Sequence, residues 1–403
     1  MYILRNIILI VLIFLYGCNS KNKDVKYKGK NQFKTIKVSQ NSSLIQIDIP
    51  EEELFKELNT SSILDSVWHV KLQTNEQSIF GAIDQLIVYD GSIFILDTSN
   101  TNSLFEFSLN GKFIKKYGRI GKGPEEYLNP TSFGIDKKQN RIILFDDKMS
   151  KILFFNRDGS FYKAEKLDFY TSEICVFNSE KILLNNRKST NDGTIPEIYT
   201  YYLTMINFGG QIVSKALPYD EDIINFRYHS RQDFFMSENE VLYHPALNDT
   251  IYTVSETTIK PKYVLNFGNK KLPLNFDRNI KFYDFEQKYK GKNSPYAYLV
   301  GDYMEIDNKL FFDISYQGHK VKCIYSLNSK KLQFGGKIND DLKNNFGTFS
   351  PVGFYKDWII TAVNPDMVLN KRERVKNDKI NDIIDRTSMG DNPILSFQHL
   401  KNF

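Results

Sequence analysis

At 403 residues, with 41% hydrophobic and 25% charged side chains, the chain has an ordinary globular make-up, which excludes wholesale disorder and a polytopic membrane protein. Its 31 Phe, 24 Tyr and 2 Trp against 22 Gly and 12 Pro favour strands over helices. The net charge of +5 is local: residues 1–40 hold eight Lys or Arg and one Asp, leaving 45 basic and 47 acidic side chains in the rest, a net of −2 that argues against a nucleic-acid partner.

Residues 1–17 read as a signal peptide. Ile7–Leu15 is an unbroken apolar run behind a single charge, Arg5, and is about half the ~20 residues a spanning helix needs. Leu15-Tyr16-Gly17-Cys18 resembles a bacterial lipobox, so Cys18 is expected to be lipidated. Residues 18–45 then read as a flexible basic tether carrying Lys21, Lys23, Lys26, Lys28, Lys30, Lys34 and Lys37, suited to lie against anionic headgroups. Cys175 and Cys323 sit in apolar runs and read as small buried hydrophobes. No CxxC motif or Cys/His cluster points to zinc or redox chemistry.

The body, residues 46–403, is built of short β-runs. Residues 87–118 and 134–167 repeat the same order: alternating strand, turn, apolar strand ending in Asp97 or Asp146, polar turn, third strand, then Asn110-Gly111 or Asp158-Gly159 and a fourth strand. Four antiparallel strands on a period of about 40–50 residues match one propeller blade, and the Asn-Gly and Asp-Gly pairs supply the positive φ of a tight hairpin. Further blades follow at 175–219, 234–268 and 303–338. A sixth combines 354–363 with 393–400 and needs one more strand, which 66–74 can supply from the N-terminal side, closing the ring without an exposed edge. Helical inserts are expected within 269–300 and over Val368–Asp385, where Val368, Val375, Ile380, Ile383 and Ile384 share one side.

Tyr117–Tyr127 (YGRIGKGPEEY) resembles an NHL-type repeat. With Asn248–Tyr252, Tyr263–Gly268, Asp391–Leu395 and the lipobox, the chain resembles the six-bladed β-propeller lipoproteins of Bacteroidetes over residues 45–403. That resemblance implies an all-β fold and a place in the cell envelope, lipid-anchored in the outer membrane and facing the periplasm or the cell surface. It implies no defined activity.

Two loops are candidate binding elements. Arg119–Tyr127, with Arg119 and Lys122, is glycine-rich and basic, so its amides can cradle an anion, or its glycines can simply strap two blades together. Arg227, Tyr228, His229 and Arg231 lie between the third and fourth blades, where two guanidiniums, a phenol and an imidazole can grip a carboxylate or a sugar, or simply form a solvated loop. The five His lack metal-binding spacing, and Asp97–Ser103 lacks the Gly and Glu of a calcium loop. No metal or cofactor is expected and no catalytic signature appears. The expectation is a monomeric, non-catalytic binding or scaffold propeller for a peptide, glycan or envelope protein. The alternative is a metal-dependent hydrolase or lyase, using calcium or another divalent ion in the central channel.

Overall fold

Apolar runs of three to eight residues, each ended by a turn signal, assemble into six antiparallel sheets set around a central channel: a six-bladed β-propeller. The computed structural model describes residues 33–50, 54–186, 195–219, 232–237, 240–273, 280, 282–343, 346, 348–370 and 378–403. From the channel outwards, blade one is Gln85–Tyr89, Ser92–Asp97, Ser103–Ser108 and Phe113–Tyr117. Blade two is Pro130–Asp136, Arg141–Asp146, Lys151–Asn156 and Phe161–Lys166. Blade three begins at Glu173–Val176 and blade four at Phe234–Met236. Blade five has a divided inner strand, Ala297–Leu299 and Met304–Ile306, both paired with Lys309–Tyr316.

Blade six confirms the strand exchange. Pro351–Tyr355, Trp358–Val363 and Ile394–Leu400 are completed by Leu64–Lys71, antiparallel to the C-terminal strand. Trp68 stacks on Phe397 at 3.9 Å between ring centroids, so the seam is closed by aromatic packing as well as by backbone pairing.

The segment read as a flexible tether to residue 45 differs from that expectation from Lys34 on, where short strands dock it on the propeller. Lys34–Ile36 pairs in parallel with the outermost strand of blade three, Ile212–Pro218, and Ile45–Asp48 with that of blade four, Ile259–Asn266. Glu57–Asn59 pairs in parallel with Lys337–Asn339, just after blade five. Backbone pairing along an open sheet edge requires little of the side chains, so a polar, lysine-rich segment serves. Ile36 and Ile47 supply the buried contacts.

The inserts contain the short helices Phe282–Phe285, Pro365–Leu369 and Asp378–Asp385. Val368 and Ile380 pack with Phe346, Val363 and Ile394, as their shared side implied, while Val375 lies outside the described residues.

Gly111 and Gly159 take the left-handed conformation in equivalent hairpins, φ 86° and 95°. A Cβ at Gly111 would lie 2.2 Å from the Lys71 carbonyl oxygen of the closing strand, whereas at Gly159 its nearest neighbour is the flexible Lys115 side chain at 3.2 Å. Gly159→Ala should therefore cost about 1 kcal/mol of conformational strain. Gly111→Ala should cost about 3 kcal/mol, because the blade one–blade six contact must also open. Urea unfolding midpoints of the two variants check this order.

Candidate functional site

Each inner strand is the edge of its sheet, so its channel-side amides and carbonyls have no strand partner. Side chains from the neighbouring blade fill that role. The Gln85 carboxamide donates to the Phe133 carbonyl at 2.9 Å and accepts from the Phe133 amide at 2.8 Å, tying blade one to blade two. Ser132 Oγ accepts from the Ile174 amide at 3.0 Å, tying two to three, and Glu173 Oε2 from the Asp233 amide at 3.2 Å, tying three to four. From blade five the Tyr303 hydroxyl donates to the Asp233 carbonyl at 2.9 Å. Asn185 Nδ2 donates to Asp233 Oδ2 at 2.6 Å, and the Tyr243 hydroxyl to Asn185 Oδ1 at 3.2 Å. None of these girdle residues stood out in the sequence. The signal that could have found them is position, since Gln85, Ser132 and Glu173 all stand at or near the start of an inner strand.

The electrostatics suit a structural role. Burial, then the Asp233 and Glu173 charges, push the Tyr303 phenol well above its ordinary pKa, so it stays a donor. Burial, then Glu173, likewise raises the Cys175 thiol, keeping it protonated and unreactive. His244, edge-on to Tyr303, is held neutral by burial with a pKa lowered to about 4, and its Nε2 bonds the Asn248 carbonyl at 2.8 Å.

Inside the girdle lies a cavity of about 310 Å³ reached by all six blades, with Leu86, Phe133, Ile174, Phe235, Met304 and Phe354 in its wall. At Gly134 and Gly353 the inner strands approach so closely that a Cβ would lie 2.5 Å from Val176 Cγ2 or 2.6 Å from Leu86 Cδ2, which keeps the channel narrow. The two ends of the ring differ. Where inner strands end, connections are hairpins of at most five residues, such as 90–91, 137–140 and 327–331. Where inner strands begin, connections reach thirty residues, as at 267–296 and 364–393. The three most exposed large apolar side chains among the described residues, Tyr283 (71%), Met389 (69%) and Ile120 (58%), all belong to those longer connections.

The residues singled out from sequence fare differently. Arg119 pairs with Glu126 at 2.7 Å and Glu125 at 3.4 Å, and the Gly123 amide donates to Glu126 Oε2 at 2.7 Å. The Gly123 amide and then the Arg119 guanidinium hold the Glu126 carboxyl below its usual range. A Cβ at Gly121 would lie 2.1 Å from Glu126 Oε2, so the glycine leaves room for the loop's own carboxylate, and Lys122 is exposed. Cys18, Arg227, Tyr228, His229 and Arg231 lie outside the described residues.

Asp97 caps its hairpin, accepting from the amides of Ser99, Asn100 and Thr101, as a turn and not a calcium loop requires. His244, His319 and His399 are not brought together. His319 lies edge-on to Phe55, while His399 bridges Asp65 at 2.8 Å and Asp357 at 3.1 Å. Among the described residues, no three His, Cys, Asp or Glu side chains are placed to share a metal ion.

A family model described as a domain of unknown function (DUF4934) matches residues 44–399. The chain belongs to this family. The DUF4934 propeller resembles the crystal structure of a Bacteroides fragilis NCTC 9343 protein described as exported, at 22% identity and TM-score 0.71, over 89% of this chain and 100% of that one. It also resembles a member of the DUF4221 family from Bacteroides vulgatus ATCC 8482, at 9% identity and TM-score 0.51, over 84% and 97% of the two chains. Virginiamycin B lyase from Staphylococcus aureus, at 12% identity over 83% and 99% of the chains, reaches a TM-score of only 0.41, which carries no argument about chemistry. No curated protein matches the sequence. For this DUF4934 chain the likenesses establish the propeller, and what it does must come from its own side chains.

Gln85→Leu removes both partners of Phe133 at once. It should destabilise the protein by about 1–3 kcal/mol, the cost of leaving buried backbone groups unpaired. Urea unfolding followed by circular dichroism measures it.

Proposed function

We propose that this chain is a lipid-anchored envelope protein whose propeller binds a partner and does no chemistry on it. The observation that carries the reading is a division of labour. Polar side chains at the channel, Gln85 and Glu173 among them, hold the blades together, while the three most exposed large apolar side chains among the described residues lie on connections at one end. Exposed apolar side chains at one end of a folded domain are where a contact surface is sought first. Aromatic and Met side chains such as Tyr283 and Met389 are the types enriched at protein interfaces.

Lipidation at Cys18, in the motif Leu15–Cys18, is the anchor this reading uses, with the basic run Lys21–Lys30 beside it as a second, electrostatic contact with the membrane. The reading places the protein at the outer membrane, facing the periplasm or the cell surface. The description of the Bacteroides fragilis relative as exported is consistent with that address.

The deciding experiment places a photo-crosslinking amino acid at Tyr283, at Met389 or, as the control on a short hairpin, at Lys330. Irradiation of intact cells should yield discrete crosslinked species from Tyr283 and Met389 and none from Lys330. Equal labelling at all three, or none at any, overturns the binding face. In the same cells Cys18→Ala should move the protein from the membrane fraction to the soluble fraction, read by fractionation and immunoblotting.

A further inference from the structure

We propose that the central cavity, which runs the length of the inner strands, takes an extended apolar peptide segment and holds its backbone through the Gln232 carboxamide, at the level where the inner strands begin. This inference rests on the binding reading above and gives it a ligand class.

A pattern of forward bonds repeats around the ring. Ser132 precedes Phe133, the residue that receives the bond from blade one, and itself bonds forward to blade three. Glu173 precedes Ile174, the residue that receives the bond from blade two, and itself bonds forward to blade four. Gln232 precedes Asp233, the residue that receives the bond from blade three. By position it should bond forward to blade five. It does not, for blade five meets it with a divided inner strand, and its polar contribution there, Tyr303, turns back to Asp233. The Gln232 carboxamide is half-buried, lines the cavity and makes no hydrogen bond to any described residue.

Gln85 shows what such a group recognises. Its carboxamide binds the N–H and C=O of a single residue, Phe133, on the open edge of a strand. An extended peptide presents that same pair on each edge at alternate residues, and a carboxamide matches it with one donor and one acceptor.

The surroundings narrow the class further. Phe234, Phe235, Met304 and Phe354 line the cavity with apolar surface suited to the side chains of such a segment. The nearby carboxylates are already engaged, Glu173 by the Asp233 amide and Asp233 by Asn185, which disfavours a cationic ligand. At about 310 Å³ the cavity is at the small end of ligand pockets and takes a short stretch of chain, not a folded domain. Peptide recognition by edge-like hydrogen bonding, with pockets for alternate side chains, is the matching mode.

The test uses the full chain in mild detergent and a pool of acetylated, amidated tetrapeptides of Ala, Val, Leu and Phe, with retained peptides identified by mass spectrometry. Retention should be saturable, and the best peptide should bind Gln232→Ala about tenfold more weakly with no change in melting temperature. Replacing one peptide amide by an ester should weaken binding to the wild type and leave binding to Gln232→Ala unaltered. Equal affinity for the two proteins overturns the proposal, as does a fall in melting temperature in Gln232→Ala or retention of neutral oligosaccharides in place of peptides. If no peptide is retained while Tyr283 and Met389 still crosslink, the cavity inference fails and the binding face stands. If both fail, so does the binding reading.

Discussion

A ring of sheets has one unavoidable weakness, the inner edges that converge on the axis with backbone groups no strand can pair. In this chain Gln85, Ser132 and Glu173 each reach across to the next blade's inner edge and satisfy it. The cost of a buried unpaired amide is a sizeable fraction of the stability margin of a domain, so these bonds do more than decorate the channel. They fix the spacing of the blades, and with the close approaches at Gly134 and Gly353 they fix how narrow the channel is. Farther out the same task falls to charges. Glu106, buried in blade one, accepts from Ser92, Tyr117 and Arg157, the last at 2.5 Å from the hairpin of blade two. Lys262 of blade four lies 2.5 Å from Glu240 and 2.7 Å from Glu305 of blade five.

That arrangement bears on function because it decides what the polar groups are free to do. A carboxylate that anchors a neighbour's amide is a poor general base, and a thiol raised by burial beside it is a poor nucleophile. Glu173 and Asp233 at the axis are therefore engaged in holding the blades and Cys175 is kept protonated, while the longest connections lie where the inner strands begin. Propellers suit this separation: a rigid barrel of short hairpins at one end, and loops whose length and composition vary at the other.

Much of the fold was legible in the sequence. The repeat of 87–118 in 134–167 carried the blade period, Asp97 and Asp146 marked equivalent hairpins, and the missing strand of blade six pointed to 66–74. These features are local, each written in a turn residue or an apolar run. The girdle was not legible, because an amide, a hydroxyl and a carboxylate play one role in three blades and share no residue identity. Nor was the pairing of 34–59 along the outer edges, where parallel ladders of three or four residues draw on backbone groups that every sequence carries. Polar composition read as disorder there, although Ile36 and Ile47 are buried. The loop of Arg119 illustrates a third limit, since composition shows an anion cradle but not that Glu126 already sits in it.

The path of residues 34–71 has a mechanical consequence. Leading towards the ring's closure, the chain is stitched in turn to blade three, blade four, the strand after blade five and finally blade six, the first three by parallel ladders of only three or four residues. Tension applied at the N-terminus loads these ladders one after another, as fuses in series, before it reaches the eight-residue strand Leu64–Lys71 that locks the ring. A pull from that end meets the short ladders at the rim before it meets the strand that closes the ring.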